Sequence, residues 1–188
     1  HVLDTESSIK VHGYTSGPGD DAIREAVSAN LTERFGKKIR PENLFFTCGA
    51  APALVSALKA LACEGSEVIA IAPYFPEYKP FTESVGSKFV AVSVDMSTFQ
   101  IDLDTLAAEI NEHTQAIIIN SPNNPTGVVF SAETLTKVAG ILENASAKYG
   151  HPIYIIADEP YRELVYDGVE VPFIPNIYRD TIVCYSWS

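Results

Sequence analysis

Small residues, an aromatic ring, an amide, a carboxylate beside a phenol, and a hydroxyl each follow a separate apolar run in this chain of 188 residues. Gly49-Ala50-Ala51 come after 44–48 (LFFTC), and Phe75 comes after 67–72 (EVIAIA) within PYFP. Asn124 sits in SPNNPTG (121–127) after 115–120 (QAIIIN). Asp158 and Tyr161 follow 153–157 (IYIIA), and Ser186 follows 181–185 (TIVCY). Singly, each has an ordinary reading: a tight turn into a helix, a core aromatic, an Asn/Pro/Gly turn, a helix cap, strand-end polarity. Together they meet the complementary demands of one small molecule. A phosphate needs backbone N–H groups at a helix N-terminus plus a hydroxyl, as 49–51 and Ser186 would supply. A flat heteroaromatic ring needs an aromatic to stack on, such as Phe75. A pyridine nitrogen kept protonated needs a buried carboxylate, such as Asp158, and a phenolate oxygen needs donors, such as Asn124 and Tyr161. The set describes a pocket for pyridoxal phosphate.

The elements that must position these residues alternate. Short β-branched runs at 44–48, 67–72, 88–94, 115–120, 153–157 and 181–185 are apolar almost throughout, as strands buried on both faces are. Between them run helical faces: Ile23, Val27, Leu31 and Phe35; Leu54, Leu58 and Leu61; Leu103, Leu106, Ala107 and Ile110; Leu135, Val138, Ala139 and Leu142. Ser131 is placed to cap the last of these, with Glu133 in its first turn, and Gly150 and Pro152 to stop it. Alternating strands and helices predict an α/β fold, a mostly parallel sheet with helices on both faces. In such sheets ligands bind beyond the carboxyl ends of the strands, where the polar residues gather. There is no linker, repeat or low-complexity tract, so residues 1–18 read as an irregular N-terminal segment and 19–188 as one large domain.

Bulk properties narrow the function classes. Thirteen basic and 24 acidic residues give a formal net charge of -11, which argues against nucleic acid or an anionic membrane surface as partner. No apolar stretch is long enough for a membrane span. The three cysteines, Cys48, Cys63 and Cys184, form no CxxC pair, and their odd number disfavours a disulfide framework and points to a reducing cytoplasm. Cys48 and Cys184 lie in or beside apolar runs and read as inert buried thiols. No metal-ligand spacing stands out.

From about residue 12 onward the chain resembles the fold-type-I pyridoxal-phosphate enzymes of the class I/II aminotransferase group. The resemblance rests on YTSGPG (14–19) with the following REA, TCGAAPAL (47–54), PYFPEY (73–78), SPNNPTG (121–127), DEPYREL (158–164) and the terminal YSWS, in family order. It implies that Gly49, Ala50 and Ala51 hold the phosphate through backbone amides and that Ser186 adds a hydroxyl. Phe75 would stack on the pyridine ring, Asn124 and Tyr161 would bond its oxygen, and Asp158 would pair with its nitrogen. Asp158 and Tyr161 are thereby the implied catalytic residues. Tyr14 resembles a tyrosine that reaches the phosphate of the neighbouring subunit, which implies a homodimer with shared sites acting on an amino acid and a 2-oxo acid.

In the family the terminal motif continues to a Schiff-base lysine. That lysine is expected directly after Ser188, followed by a small C-terminal domain; none of the eight lysines at 10, 37, 38, 59, 79, 88, 137 and 148 follows the required strand end. His1 is not a methionine, and the chain is expected to begin partway into a longer protein. Transamination, with an aspartate- or aromatic-type donor as default, is the implied reaction. Histidinol-phosphate aminotransferases and decarboxylases share many of the motifs. Carbon–sulfur lyases tend to carry His where Asn123 stands. A non-catalytic truncated chain or an aminotransferase-like regulator domain is the reading from a different class.

Overall fold

The computed structural model describes residues 2–187. The chain divides into two compact units, residues 1–47 and 48–188.

The first unit holds short helices α1 (Val2–Thr5) and α2 (Ser8–His12) and the longer α3 (Asp21–Phe35). Asp20 caps α3 by accepting from the Ile23 N–H at 3.2 Å, and Gly36, at φ 62°, ends it in the left-handed conformation that favours glycine. Of the expected apolar face only Leu31 is buried, and Ile23 is exposed. The polar side of α3 does more within this unit. Arg24 donates to the carbonyls of Leu44 (3.1 Å) and Pro41 (2.6 Å), and the Ser28 hydroxyl donates to the Ile39 carbonyl at 2.5 Å.

Those bonds explain one correction. Residues 44–48 do not form the strand that LFFTC predicts. The Leu44 carbonyl is taken by Arg24, and the Phe46 N–H donates to the Pro18 carbonyl at 3.1 Å. A strand needs a neighbour to complete its ladder, and tertiary context overrides β propensity where none is present. Phe45 and Phe46 stay exposed. Cys48 is exposed as well, not the buried thiol expected, whereas Cys184 is buried.

The second unit runs α4 (Ala50–Leu61), β1 (Glu67–Ala72), α5 (Tyr78–Ser84), β2 (Lys88–Ser93), α6 (Leu103–Glu109), β3 (Thr114–Asn120), α7 (Ala132–Tyr149), β4 (Tyr154–Glu159) and β5 (Thr181–Tyr185). The strands form one parallel sheet in the order β2-β1-β3-β4-β5, the α/β architecture that the alternation predicts. Successive residues of a strand point to opposite faces, and the two cores sort accordingly. Ile69, Ile71, Ile117, Ile119 and Ile155 pack with Leu106 of α6 and Leu135, Val138 and Leu142 of α7. Val68, Ala70, Ala116, Ile118 and Ile156 pack on the other face with Leu54 and Leu58 of α4 and Tyr78 of α5.

Ser131 caps α7 by accepting from the Thr134 N–H at 3.0 Å, and Gly150 ends it at φ 79°, as expected. α5 has no counterpart among the predicted helical faces. It is two turns long, and Pro80 falls in its first turn, where an N–H has no intrahelical partner to lose. Its buried residues, Tyr78 and Thr82, are one turn apart. Among the described residues no helix is long and apolar enough to cross a membrane.

Leu142 is fully buried between α7 and the sheet, whereas Leu164 is exposed. Leu142→Ala should therefore cost about 2–5 kcal/mol of unfolding free energy. Leu164→Ala should change it by less than about 0.5 kcal/mol. Urea unfolding of the two variants beside the parent protein checks the difference.

Candidate active site

The register of the sheet places the site. Asn120 at the end of β3 lies opposite Asp158 of β4, and Asp158 lies opposite Cys184 of β5. By the two-residue alternation all three share the face that packs against α4 and α5. β1 lies between β2 and β3, so the strand order reverses there, and open α/β sheets carry their ligand crevice at such a switch point. A cavity of about 200 Å³ opens at this end of the second unit, lined by Ala50, Ala51, Leu54, Phe75, Phe81, Asn120, Asn124, Asp158, Pro160 and Tyr161.

Each wall has a local cause. Gly49, at φ 102°, turns the chain into α4, a backbone conformation that side chains rarely tolerate. A Cβ built there would meet nothing within 4 Å, so open space lies beside the start of the helix. Ala50 and Ala51 form its first turn, whose N–H groups have no partner within the helix and carry its positive pole. Phe75 packs edge-on against Tyr78, with ring centres 5.7 Å apart.

The 121–127 loop is built by Asn123 and aimed by Asn120. The Asn123 side-chain carbonyl accepts from the Thr126 N–H (3.1 Å) and hydroxyl (2.8 Å), and its amide donates to the Pro73 carbonyl at 3.3 Å. The Asn120 side chain accepts from the Asn124 N–H at 2.6 Å and donates to the Asp158 carbonyl at 2.9 Å. Asn124 is thereby held facing Tyr161, with its amide 3.4 Å from the phenol oxygen.

The two acidic neighbours in β4 have different anchors. Asp158 is buried and accepts a hydrogen bond from the Tyr78 hydroxyl. Burial pushes its carboxyl above the ordinary range, and the Tyr78 bond opposes that push. Burial, then the nearby Asp158 charge and the hydrogen bond to it, push the Tyr78 phenol well up. Cys184 is pushed up to about 12, chiefly by burial and then by Asp158, so it stays a thiol. Glu159 is buried too, in a paired grip with Arg162 in which both bonds are 2.6 Å. The same guanidinium donates to the carbonyls of Val171 (2.8 Å) and Pro172 (2.9 Å). Glu159 therefore fastens the segment after β4, which carries Tyr161.

Of the residues singled out in the sequence, the cavity brings together Ala50, Ala51, Phe75, Asn124, Asp158 and Tyr161. Gly49 adjoins this lining at the helix start. Ser186 stands one residue past β5, half-buried, and is not part of the lining. Tyr14 is fully exposed within the first unit. Ser188 lies outside the described residues. Leu54, Phe81, Asn120, Tyr78 and Pro160 were not singled out as site residues in the sequence. Asn120 carried a visible signal, a polar residue closing the apolar run QAIIIN on the same parity as Ile118. Tyr78 closes the PYFPEY motif, but its tie to Asp158 was not legible, because its partner is 80 residues away in sequence.

The second unit is thus an open α/β domain with a polar-floored crevice at the carboxyl ends of its strands. The chain belongs to the class I and II aminotransferase family, whose profile matches residues 2–188. It is 37% identical over 160 residues to a probable N-succinyldiaminopimelate aminotransferase of Mycobacterium tuberculosis, a stretch that covers 84% of this chain and 39% of that protein. It is 33% identical to human kynurenine–oxoglutarate transaminase 1, covering 92% of this chain and 43% of the relative. The crystal structure of an aminotransferase from Eubacterium rectale superposes with a TM-score of 0.94 at 48% identity, covering all of this chain and 47% of that one. The chain therefore spans less than half the length of these relatives.

The separate anchors give adjacent carboxylates separable phenotypes. Glu159→Ala leaves the Arg162 charge buried without its partner and should cost about 3–5 kcal/mol of stability. Asp158→Asn removes a buried charge while keeping an acceptor for Tyr78, so it should leave the melting temperature near that of the parent. Thermal unfolding without added ligand, followed by circular dichroism, separates the two; equal losses would contradict the assignment.

Proposed function

We propose that the full-length protein is a pyridoxal-phosphate-dependent aminotransferase that moves an amino group between an amino acid and a 2-oxo acid. The observation that carries this reading is the convergence of Asp158, Phe75, Asn124, Tyr161 and the first turn of α4 on one cavity. Members of the family use pyridoxal phosphate, and the residues present fit that group. The open cradle at Gly49 beside the N–H groups of Ala50 and Ala51 suits a phosphate, the Phe75 ring suits a flat heterocycle, and the buried carboxylate suits a protonated ring nitrogen. When bound, the cofactor supplies an electron sink that stabilises negative charge at the substrate carbon.

The chain's own residues would do the following. Asp158 holds a proton at the ring nitrogen, an ion pair strengthened by exclusion of water. Asn124 and Tyr161 donate to the ring oxygen and orient the ring over the sheet end. Gly49, Ala50 and Ala51 fix the phosphate, joined by Ser186 from beyond β5. Leu54 and Phe81 give the cavity apolar walls. We place the covalent lysine directly after Ser188. Tyr14, exposed in the first unit, would reach the phosphate of a second subunit in a homodimer. The proposal extends to a cytoplasmic location, supported by three cysteines that are all unpaired. The named relatives differ in amino substrate, so an aspartate- or aromatic-type donor is a default for this chain, to be decided by residues beyond it.

The test is made on the full-length protein with pyridoxal phosphate. It should acquire an absorbance band near the visible edge, and borohydride should fix the cofactor to the residue after Ser188. Incubation with a panel of amino donors and 2-oxoglutarate should yield glutamate. Asp158→Ala should lower kcat at least roughly ten- to a hundredfold, the worth of one charged hydrogen bond in a dry site. Failure to bind the cofactor overturns the cofactor reading. Binding without glutamate formation from any donor overturns transamination.

A further inference from the structure

We propose that Tyr78 is the positioning residue for Asp158, holding one carboxylate oxygen so that the other faces the cavity where a ring nitrogen would sit. The inference rests on the cofactor reading above. Tyr78 is buried in α5 and donates its hydroxyl to Asp158 Oδ2. Oδ1 makes no hydrogen bond among the described residues, and Asp158 lines the cavity. Without the tyrosine, the carboxylate is free to rotate about its last bond, because a terminal sp³–sp² torsion is broad. With it, the plane of the carboxylate is fixed from the helix side.

The placement also links two parts of the site. The Tyr78 N–H donates to the Phe75 carbonyl at 3.0 Å, and the two rings pack edge to face. One short helix therefore sets both the ring that would lie against the cofactor's face and the group that steers the carboxylate at its nitrogen. Spacing fixes this. Phe75 and Tyr78 are three residues apart across the start of α5, so a shift of the helix moves both together.

The charge environment makes the hydroxyl consequential. The titratable groups around Asp158 are Tyr78 from α5, Cys184 from β5, Glu159 next in the chain and Tyr161 from the following loop. Among the described residues no cation faces Asp158, since Arg162 is engaged with Glu159. Burial favours the neutral acid, and the Tyr78 hydrogen bond is what favours the carboxylate. Removing it should let Asp158 take up its proton at a higher pH. Because the neutral acid forms no ion pair with a protonated ring, cofactor affinity should then begin to fall at a higher pH on the acid side.

The experiment compares Tyr78→Phe with the parent in the full-length protein, reading the dissociation constant for pyridoxal phosphate and its pH dependence. Tyr78→Phe should weaken binding roughly tenfold or more near neutrality, the worth of one charge-assisted hydrogen bond, and move the acid limb upward. Tyr178→Phe is the control. Tyr178 is also buried and donates its hydroxyl, but to the Ile153 carbonyl in the other core. It should lower the melting temperature without changing cofactor affinity. The same tyrosine change is then made in an Asp158→Ala background, where the hydroxyl has no side-chain acceptor left to hold and its effect on affinity should largely vanish. A Tyr78→Phe single variant that fails to fold beside a double variant that folds also supports the coupling. Equal losses in the two backgrounds, failure to fold included, overturn it, because Tyr78 would then act by packing alone. An unshifted affinity and acid limb in Tyr78→Phe overturn it while leaving the cofactor reading standing. A parent protein that binds no pyridoxal phosphate brings down the cofactor reading, and this inference with it.

Discussion

The parallel pairing of β3 with β4 is the constraint on which the rest of the site hangs. It sets Asn120 opposite Asp158, so that one side chain can reach across to the neighbouring strand's carbonyl and at the same time receive the N–H of Asn124. A slip of one residue would turn Asp158 toward α6 and α7 and bring Glu159 to the cavity face. Register is secured by burial on both sides. Ile117 and Ile119 fill one core and Ala116 and Ile118 the other, and exchanging the two sets would change the side-chain volume packed on each face.

Given that register, the alternation of a strand makes two adjacent carboxylates into different devices. Asp158 faces α4 and α5, meets a hydroxyl and has an oxygen to offer. Glu159 faces away, meets a guanidinium and is fully engaged. The first remains available for chemistry because its partner is neutral. The second is structural because its partner is a cation whose other donors hold Val171 and Pro172. A buried pair of this kind is costly to break, so the segment carrying Tyr161 inherits its position from Glu159 without Glu159 touching the cavity.

The first unit follows another logic. α3 buries little apolar area but fastens residues 39–44 through Arg24 and Ser28. Hydrogen bonds to carbonyls from side chains, rather than a sheet ladder, satisfy that backbone. Exposed Phe45 and Phe46 are the consequence. An apolar run that reads as a strand by composition is thus one that the chain uses as a connection.

The sequence by itself determined the parallel α/β class, the helices α3, α4, α6 and α7, the sheet strands, and the group of loops that bear the site. It could do so because these are periodic or punctuated features: apolar runs closed by a polar residue, helical faces closed by Ser131 or Gly150, and motifs in fixed order. It failed at LFFTC because a strand is a property of two segments and only one was in view. It passed over α5 because seven residues with a proline in the first turn present too short a pattern. It did not single out Glu159, since nothing local distinguishes a carboxylate that meets Arg162 from one that meets Tyr78. Only the tertiary structure decided which partner each received. The strand's two-residue alternation sends the side chains to opposite faces, and what stands on each face comes from helices and loops that the register brings there.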